Sequence, residues 1–244
     1  MIRRSKYRQS ECSSNKTLDY IESAAGLFHM QMAVLVMLFR VHFGCEAEPC
    51  SLSRWIKDLK RSQNKLWNPD RQLVKDFRRC QEFFDIVLDG YLLATMINYC
   101  NFESTEEMKH NFGKVDVEYM IENLSDFLVK FHIVHGNRAQ EHGQDRAHDN
   151  LILFMQQGLV LRNFSLGMRQ GDPGRALISL SYFTIWFQAS KQSNYARETL
   201  HLTACLKRIW SPKLVEFYKR NMLLNLSGKA EGWMACDQVN KYVV

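Results

Sequence analysis

Apolar side chains recur at helical spacing along almost the whole chain, and this periodicity most constrains the fold. In residues 116–134, for example, the apolar positions lie three or four residues apart on one helix face. The 244 residues include only 4 prolines and 12 glycines, too few for a sandwich rich in turns. The sequence therefore predicts a mostly α fold, with about eight helices packed irregularly around one extended core and no substantial sheet.

Polar stretches set the expected domain organisation. Residues 1–18 are polar and basic, which predicts a disordered basic arm. Residues 19–244 are expected to form a single helical domain. Residues 135–150 have almost no apolar content, so this exposed loop is where an internal division of that domain would fall. Helices are predicted at 19–43, at 52–63, after Asn68, after Ser104, and at 116–134, 150–169, 173–190, 194–209 and 212–226.

Helix ends are predicted from capping residues. An expected first turn follows a residue whose side-chain oxygen can accept a backbone N–H. Proline after the cap, as at Pro69 and Pro212, loses no helical hydrogen bond because that N–H would be unpaired anyway. Gly44 and Gly228 are the expected stops of the first and last helices. The expected caps are Asn68, Ser104 with Glu107 at capping-box spacing, Asn194 and Ser211.

The stretch "MRQGDPGRAL", residues 168–177, is compatible with three interpretations. It could be a loop that binds phosphate, a site where a carboxylate binds a metal ion, or a corner between two helices. A phosphate loop would need more glycines, followed by Lys and then Ser or Thr. Capping explains the residues better, because Gly171 can end one helix, Asp172 can cap the next and Pro173 can take its first position. Asp172 is therefore expected to be structural.

The longest apolar run and the cysteines indicate the compartment. The run at 27–39 contains His29 and Gln31 and, at about a dozen residues, is too short to span a bilayer. It also lacks the position and cleavage pattern of a signal peptide. Seven scattered cysteines, an odd number, suit reduced thiols better than a disulfide framework. We expect an intracellular protein, nuclear or cytoplasmic, without a membrane partner. The sequence leaves the oligomeric state open.

The clearest charge feature is the basic segment, residues 54–79. It holds nine Lys or Arg against three Asp, a surplus of +6 that equals the formal charge of the chain. A helical pair with this face could lie on the phosphates of DNA or RNA, while Trp55 and Trp67 stack on bases or anchor the helices. A solvated surface or a face for an acidic protein partner explains the charge equally well. The candidate nucleic-acid-binding residues are Arg54, Lys57, Lys60, Arg61, Lys75, Arg78 and Arg79.

Histidines form a second cluster beside the polar stretch. His132 and His135 are three residues apart and could place nitrogens on neighbouring turns, with His142 completing a zinc site. No cysteine joins them, and their spacing matches no compact zinc finger. They are candidate metal ligands in a chain to which the sequence assigns no cofactor.

Carboxylates are the third group. Asp85 and Asp89 are four residues apart and share a helix face. Asp172 and Asp237 could complete a set that binds a divalent metal ion for nuclease-like chemistry. Nothing in the sequence brings these residues together, so unrelated surface carboxylates explain them better. Cys236 lacks a histidine base for nucleophilic catalysis, and the chain is expected to lack catalytic activity.

Several long phrases carry a family resemblance. They are "GLFHMQMAVLVMLFRVHFG" (26–44), "CSLSRWIKDLKR" (50–61), "LWNPDRQLVKDFRRCQEFFDIVLDGYLLA" (66–94), "GMRQGDPGRALISLSYFTIWFQASKQSNYARETLHL" (167–202) and "NMLLNLSGKAEGWMACDQVNKYV" (221–243). Together they resemble a large family, known as a domain of unknown function, that is abundant in mushroom-forming (basidiomycete) fungi. The resemblance covers residues 20–244.

The resemblance implies a transposon-associated origin. That family expands in genomes as mobile elements do, and "NYAR" (194–197) is similar to a phrase in transposon-related proteins of animals. Such an origin implies a ribonuclease-H-like nuclease core. Family members extend further at both ends, so this chain is expected to be a truncated member that lacks part of any acidic set.

Three functional hypotheses follow. The leading one is a non-catalytic, transposon-derived remnant that binds nucleic acid through the basic segment. The second is a metal-dependent nuclease or strand-transfer enzyme that uses Asp172 and Asp237, and only this one requires a divalent metal ion. The third is a helical interaction module whose basic face meets an acidic protein.

Overall fold

The fold is built almost entirely of helices. The structure, a computed structural model, describes residues 24–68, 70–71, 73–100, 102–111 and 146–239. The prediction of a mostly α fold is confirmed. In chain order the helices are α1 (Leu27–His42), α2 (Leu52–Asp58), α3 (Gln63–Leu66), α4 (Phe77–Tyr99), α5 (Thr105–Asn111), α6 (Arg146–Gln170), α7 (Pro173–Ala189), α8 (Ser193–Ala204), α9 (Pro212–Asn221) and α10 (Cys236–Val239), with a π-helical turn at Cys205–Ile209.

The strands of the described residues form two short antiparallel pairs. β1 (Trp67–Asn68) pairs with β2 (Leu73–Val74). β3 (Leu223–Leu224) pairs with β4 (Met234–Ala235). Each strand has only two residues, so the pairs close loops between helices and form no layer of their own. For the described residues, the predicted lack of a substantial sheet is confirmed.

The chain divides into two compact units, of which the first comprises residues 34–163. Its core is aromatic, since Phe39, Phe84 and Phe154 are fully buried. The ring centroids of Phe84 and Phe154 are 4.7 Å apart, within the range in which aromatic pairs attract beyond their simple burial.

The second unit comprises residues 1–33 and 164–244. Here α7 packs along α8. Phe164, Phe183 and Phe187 are fully buried, and the centroids of Phe164 and Phe183 lie 5.0 Å apart. Both units therefore have their own hydrophobic core.

The capping interpretation of residues 168–177 is confirmed. Asp172 Oδ1 accepts the backbone N–H of Arg175 at 2.9 Å, and Pro173 is the first residue of α7. Gly171 has a φ of +72°, a left-handed conformation that favours glycine, and it follows the last residue of α6.

Two other predicted helix starts are confirmed. Ser104 Oγ accepts the N–H of Glu107 at 3.1 Å, while Glu107 Oε2 accepts the N–H of Glu103 at 2.7 Å, close to a capping box at the start of α5. Ser211 accepts the N–H of Leu214 at 3.4 Å and caps α9.

The predicted start of the long helix at Asn68 and Pro69 is wrong. Asn68 belongs to β1, and its Oδ1 accepts the N–H of Arg71 at 3.0 Å, so it stabilises the turn of the hairpin instead. Asp76 is the actual cap, and α4 begins at Phe77.

The first and last long helices are shorter than predicted. Residues 24–26 were expected to be helical but precede α1. The helix predicted at 212–226 ends at Asn221, because β3 pairs with β4 just after it. Gly228, the predicted stop, lies in the loop between these strands with a φ of +66°.

The predicted cap at Asn194 is also wrong. The N-cap of α8 is Gln192, which makes no side-chain capping hydrogen bond. Lys191 precedes it in a left-handed turn with a φ of +59°, so the helix starts before Asn194 is reached.

Some predictions concern residues outside the described ranges. They are the arm at 1–18, the helix at 116–134 and residues 135–145 of the predicted loop 135–150, in which an internal division is expected. These stay predictions. The other residues of that predicted loop, 146–150, are instead helical and begin α6. No helix in the described ranges is both long enough and apolar enough to cross a membrane.

Candidate nucleic-acid interface

The basic segment folds into short elements joined by tight turns. Ser51 Oγ accepts the N–H of Arg54 at 3.1 Å and starts α2. A turn with Lys60 at a φ of +51° then redirects the chain towards α3. After the β1–β2 hairpin, Asp76 Oδ1 accepts the N–H of Arg79 at 3.1 Å and starts α4. The cations therefore come from α2, α3, the first turn of the long helix α4 and the segments that connect them, and not from the simple helical pair that the sequence predicts.

Many of the candidate cations are neutralised by carboxylates. The Asp58 carboxylate, by its hydrogen bond, raises the pKa of the Arg54 guanidinium above its usual value. All of these pairs are at the surface, where each contributes little to stability. The pairs are Arg54–Asp58 (2.8 Å), Lys57–Glu46 (2.9 Å), Arg78–Glu82 (3.0 Å) and Arg79–Asp76 (3.3 Å).

The other candidates are Lys60, Arg61 and Lys75, and they form no ion pair with the residues that the structure describes. Lys65, in the same basic segment, is likewise unpaired there. All four side chains are exposed. Their charge is therefore available to an external anion.

Lys60, Arg61 and Lys65 line a pocket of 440 Å³, which we call the basic pocket. Its volume falls within the roughly 300–1,000 Å³ typical of sites for small ligands. It has an apolar part as well, in which Leu66 and Phe83 are buried while Ile86 is 43% exposed. The complete lining is Lys60, Arg61, Ser62, Lys65, Leu66, Arg79, Glu82, Phe83 and Ile86.

A buried thiol holds α3 against α4 at this pocket. Cys80 Sγ donates to the carbonyl oxygen of Leu66 at 3.0 Å. Burial raises the pKa of Cys80 to about 12, so the thiol keeps its proton at neutral pH. Cys80 thus acts as a hydrogen-bond donor and not as a nucleophile.

The two tryptophans anchor the segment to the core of the first unit. Trp67 is buried, and its ring stacks on Phe39 with centroids 5.6 Å apart. Trp55 is half-buried and donates its indole N–H to the hydroxyl of Tyr91. Trp67 therefore has no free face for a nucleic-acid base.

The two candidate catalytic aspartates both accept backbone N–H groups at helix starts. Asp172 caps α7, as described above. Asp237 accepts the N–H of Phe28 and of His29, each at 3.1 Å, and lies 2.8 Å from His29 Nδ1. Asp237 thus caps α1 from a distant part of the chain, a role that no local sequence signal could reveal.

The other pair of carboxylates contacts an arginine that the sequence analysis did not single out. Arg162 Nη2 lies 3.5 Å from Asp85 Oδ1, and Nη1 of the same residue bonds to Asp89. Burial raises the pKa of Asp85, and its contacts with Gln81 and Arg162 oppose that shift. Asp85 and Asp89 do share a face, as predicted, and there they tie α4 to α6.

The described residues contain no group of three or more His, Cys, Asp or Glu arranged to hold a metal ion. The candidate ligands His132, His135 and His142 lie outside the described ranges.

Of the lining, sequence reasoning named Lys60, Arg61 and Arg79 as candidates but not Lys65, Ser62 or Ile86. Ser62 is the N-cap of α3, yet its side chain makes no capping hydrogen bond. Ile86 had a signal that could have found it, because it falls outside the apolar stripe formed by Cys80, Phe84 and Leu88.

Comparison with known proteins identifies a family. A family model described as "Family of unknown function (DUF6589)" matches residues 2–241. The match includes residues 2–19, which the resemblance in the sequence did not reach. No curated protein and no solved structure matches the chain.

Proposed function

The chain belongs to this family of unknown function, and we propose that it binds the phosphate backbone of a nucleic acid through the basic pocket. The observation that carries the proposal is the grouping of Lys60, Arg61 and Lys65, unpaired among the described residues, around one concavity. Lysine and arginine that neutralise phosphates release condensed counterions, which is the main source of sequence-independent affinity for nucleic acids.

The local charge balance supports this proposal over a generally solvated basic surface. The lining includes three unpaired cations, together with Arg79, which is paired with Asp76, and Glu82, which is paired with Arg78. On a solvated face, nearby carboxylates would be expected to intersperse with these cations, as they do around Arg54 and Lys57. The basic pocket instead brings three unpaired cations together in a concave site, and such a site focuses its electric field on an incoming anion.

Two matched variants test the proposal. The pocket variant changes Lys60, Arg61 and Lys65 to glutamine. The control variant changes three paired cations outside the pocket to glutamine, namely Arg54, Lys57 and Arg220, the last of which pairs with Glu216. Both variants lower the formal charge from +6 by three, to +3, so net charge cannot distinguish them.

We expect the pocket variant to lose affinity for labelled DNA or RNA by 10- to 100-fold, on the order expected for three lost phosphate contacts at low salt. The control variant should bind nearly as well as the wild type. Fluorescence anisotropy at low salt measures both. Equal losses in the two variants would contradict a localised site. If the wild type does not bind at low salt, the proposal fails, and an acidic protein becomes the better partner for this face.

We also propose that the chain is non-catalytic. Asp172 and Asp237 already serve as helix caps, and this supports a structural role for both. We therefore expect no cleavage of DNA or RNA by the purified chain in magnesium. Magnesium-dependent cleavage that Asp172→Asn abolishes would contradict this and favour the nuclease hypothesis.

Finally, we propose a transposon-derived origin within a family of basidiomycete fungi. The support is the resemblance of the long phrases and of "NYAR" (194–197) to those groups of proteins. Terminal inverted repeats flanking genes of the family would be the expected genomic trace. Their consistent absence from intact loci would contradict the origin.

A further inference from the structure

We infer that the basic pocket takes an unpaired nucleotide, so that the preferred ligand is a single-stranded nucleic acid and not a duplex. This inference rests on the proposed function and specifies its ligand. A site for phosphates alone needs only cations, yet the basic pocket also has an apolar lining, which phosphate does not use.

The apolar lining is the first argument. Leu66, Phe83 and Ile86 line this part of the pocket. Leu66 and Phe83 are buried, so the accessible apolar surface is mainly that of Ile86, which is 43% exposed. Exposed isoleucine is costly in water, and covering it with the face of a base would remove that cost. In a duplex the faces of the bases are stacked on one another, so only an unpaired base can offer a free face.

The polar lining is the second argument. Lys60, Arg61 and Lys65 are unpaired among the described residues and belong to the same pocket as Ile86. The hydroxyl of Ser62 makes no capping bond and is available to donate to a phosphate oxygen. One nucleotide carries both groups that this lining suits, a flat apolar base and an adjacent phosphate.

The volume is the third argument. At 440 Å³ the pocket is of the size that holds one small ligand, whereas a duplex presents a broad cylinder whose bases cannot enter. Proteins that bind single strands without sequence preference combine a cationic groove with aromatic side chains on which bases stack. In the basic pocket the exposed side chain of Ile86 would take the place of the aromatic contact.

The test compares four labelled probes on the purified full chain by fluorescence anisotropy. They are a thymidine 12-mer, a uridine 12-mer, a 12-base-pair duplex and an abasic 12-mer with the same phosphates but no bases. We expect both 12-mers with bases to bind more tightly than the abasic probe, by about tenfold, since contact of one base with the pocket adds to the phosphate attraction. The duplex should bind more weakly than the thymidine 12-mer. The ratio of the affinities for the thymidine and uridine 12-mers then shows whether the bound single strand is DNA or RNA.

Two single variants on the same helix provide the control. Ile86→Ser should lower the affinity for the thymidine 12-mer to that for the abasic probe while leaving abasic binding unchanged. Leu93 is also exposed on α4 but lies outside the pocket, so Leu93→Ser should change neither affinity.

The outcomes separate this inference from the proposed function. Equal binding of the thymidine and abasic 12-mers, or a duplex that binds at least as tightly as the thymidine 12-mer, would overturn the inference while phosphate binding stood. A retained preference for bases in Ile86→Ser would also overturn it. If no probe binds, both fail together.

Discussion

Single residues in the basic segment differ mainly in whether a carboxylate lies next to them. Arg54 and Lys57 look equivalent to Lys60 and Lys65 in the sequence. In the structure the first two are bound to Asp58 and Glu46, whereas the second two line a pocket and have no such partner among the described residues. A phosphate that approached Arg54 would have to compete with an existing carboxylate. The pairing therefore changes which cations are available for binding.

At the same scale, His42 should make stability depend on pH. It is 7% exposed, and its Nε2 lies 2.8 Å from Gln157 Oε1. Burial lowers the pKa of His42, and the hydrogen bond to Gln157 only partly opposes this. An unfolded histidine, with a pKa of about 6.5, binds a proton at a pH where the folded one does not. Stability should therefore fall as the pH drops below that value, by up to about 1.4 kcal/mol per pH unit.

Urea unfolding between pH 7.5 and 5.5 measures this dependence. His42→Gln keeps an N–H donor towards Gln157 but cannot titrate, so its stability should vary less with pH than that of the wild type. His110 is exposed, and His110→Gln should leave the slope unchanged. The same pH slope in His42→Gln and in the wild type would rule out His42 as its source.

At the scale of the elements, the stability of α7 depends on its N-cap, Asp172, which the sequence predicts. Asp172 accepts one N–H of the first turn, and losing such a bond costs about 1 kcal/mol. Asp172→Ala should lower the free energy of unfolding by about that amount, and Asp172→Asn by less, because asparagine caps nearly as well. Denaturant unfolding with a constant m-value checks both. An alanine variant as stable as the wild type would mean that the cap contributes nothing.

Element boundaries were predictable where the signal was local. At residues 171–173 a glycine, a capping aspartate and a proline all predict the same helix start, and α7 begins there. At Asn68 the same kind of signal failed, because Asp76 offers a second cap eight residues later. Burial of Trp67 and its pairing with Val74 favour the hairpin, and those contacts are tertiary. The local sequence is thus compatible with a helix start at either Asn68 or Asp76, and tertiary packing determines that α4 begins after Asp76.

For the candidate site, too, the sequence predicted the location of the charged residues but not all of their partners. Charge density located the basic segment, but Glu46 and Glu82, which neutralise Lys57 and Arg78, lie outside it. The shared face of Asp85 and Asp89 followed from helical spacing. Their partner Arg162 did not, because it is 73 residues from Asp89. Spacing predicts neighbours within an element, whereas partners between elements depend on the fold.

For the molecule as a whole, the salt dependence of binding should report a smaller site than the net charge suggests. The formal charge of +6 equals the surplus of the basic segment, so the entire surplus could in principle face a nucleic acid. The carboxylate pairs reduce that number. For single strands, the logarithm of the binding constant falls with the logarithm of salt concentration with a slope of about −0.7 per phosphate contact.

The three cations of the basic pocket that form no ion pair with the described residues, Lys60, Arg61 and Lys65, therefore predict a slope of about −2. All seven residues first considered would give about −5. Titration of the thymidine 12-mer across a series of potassium chloride concentrations measures the slope. The pocket variant should bring it close to zero, because Arg79, the remaining cation of the lining, is paired with Asp76. A wild-type slope near −5 would mean that the paired cations exchange their carboxylates for phosphates on binding. The interface would then extend over the whole basic segment, and the pocket would be only its deepest part.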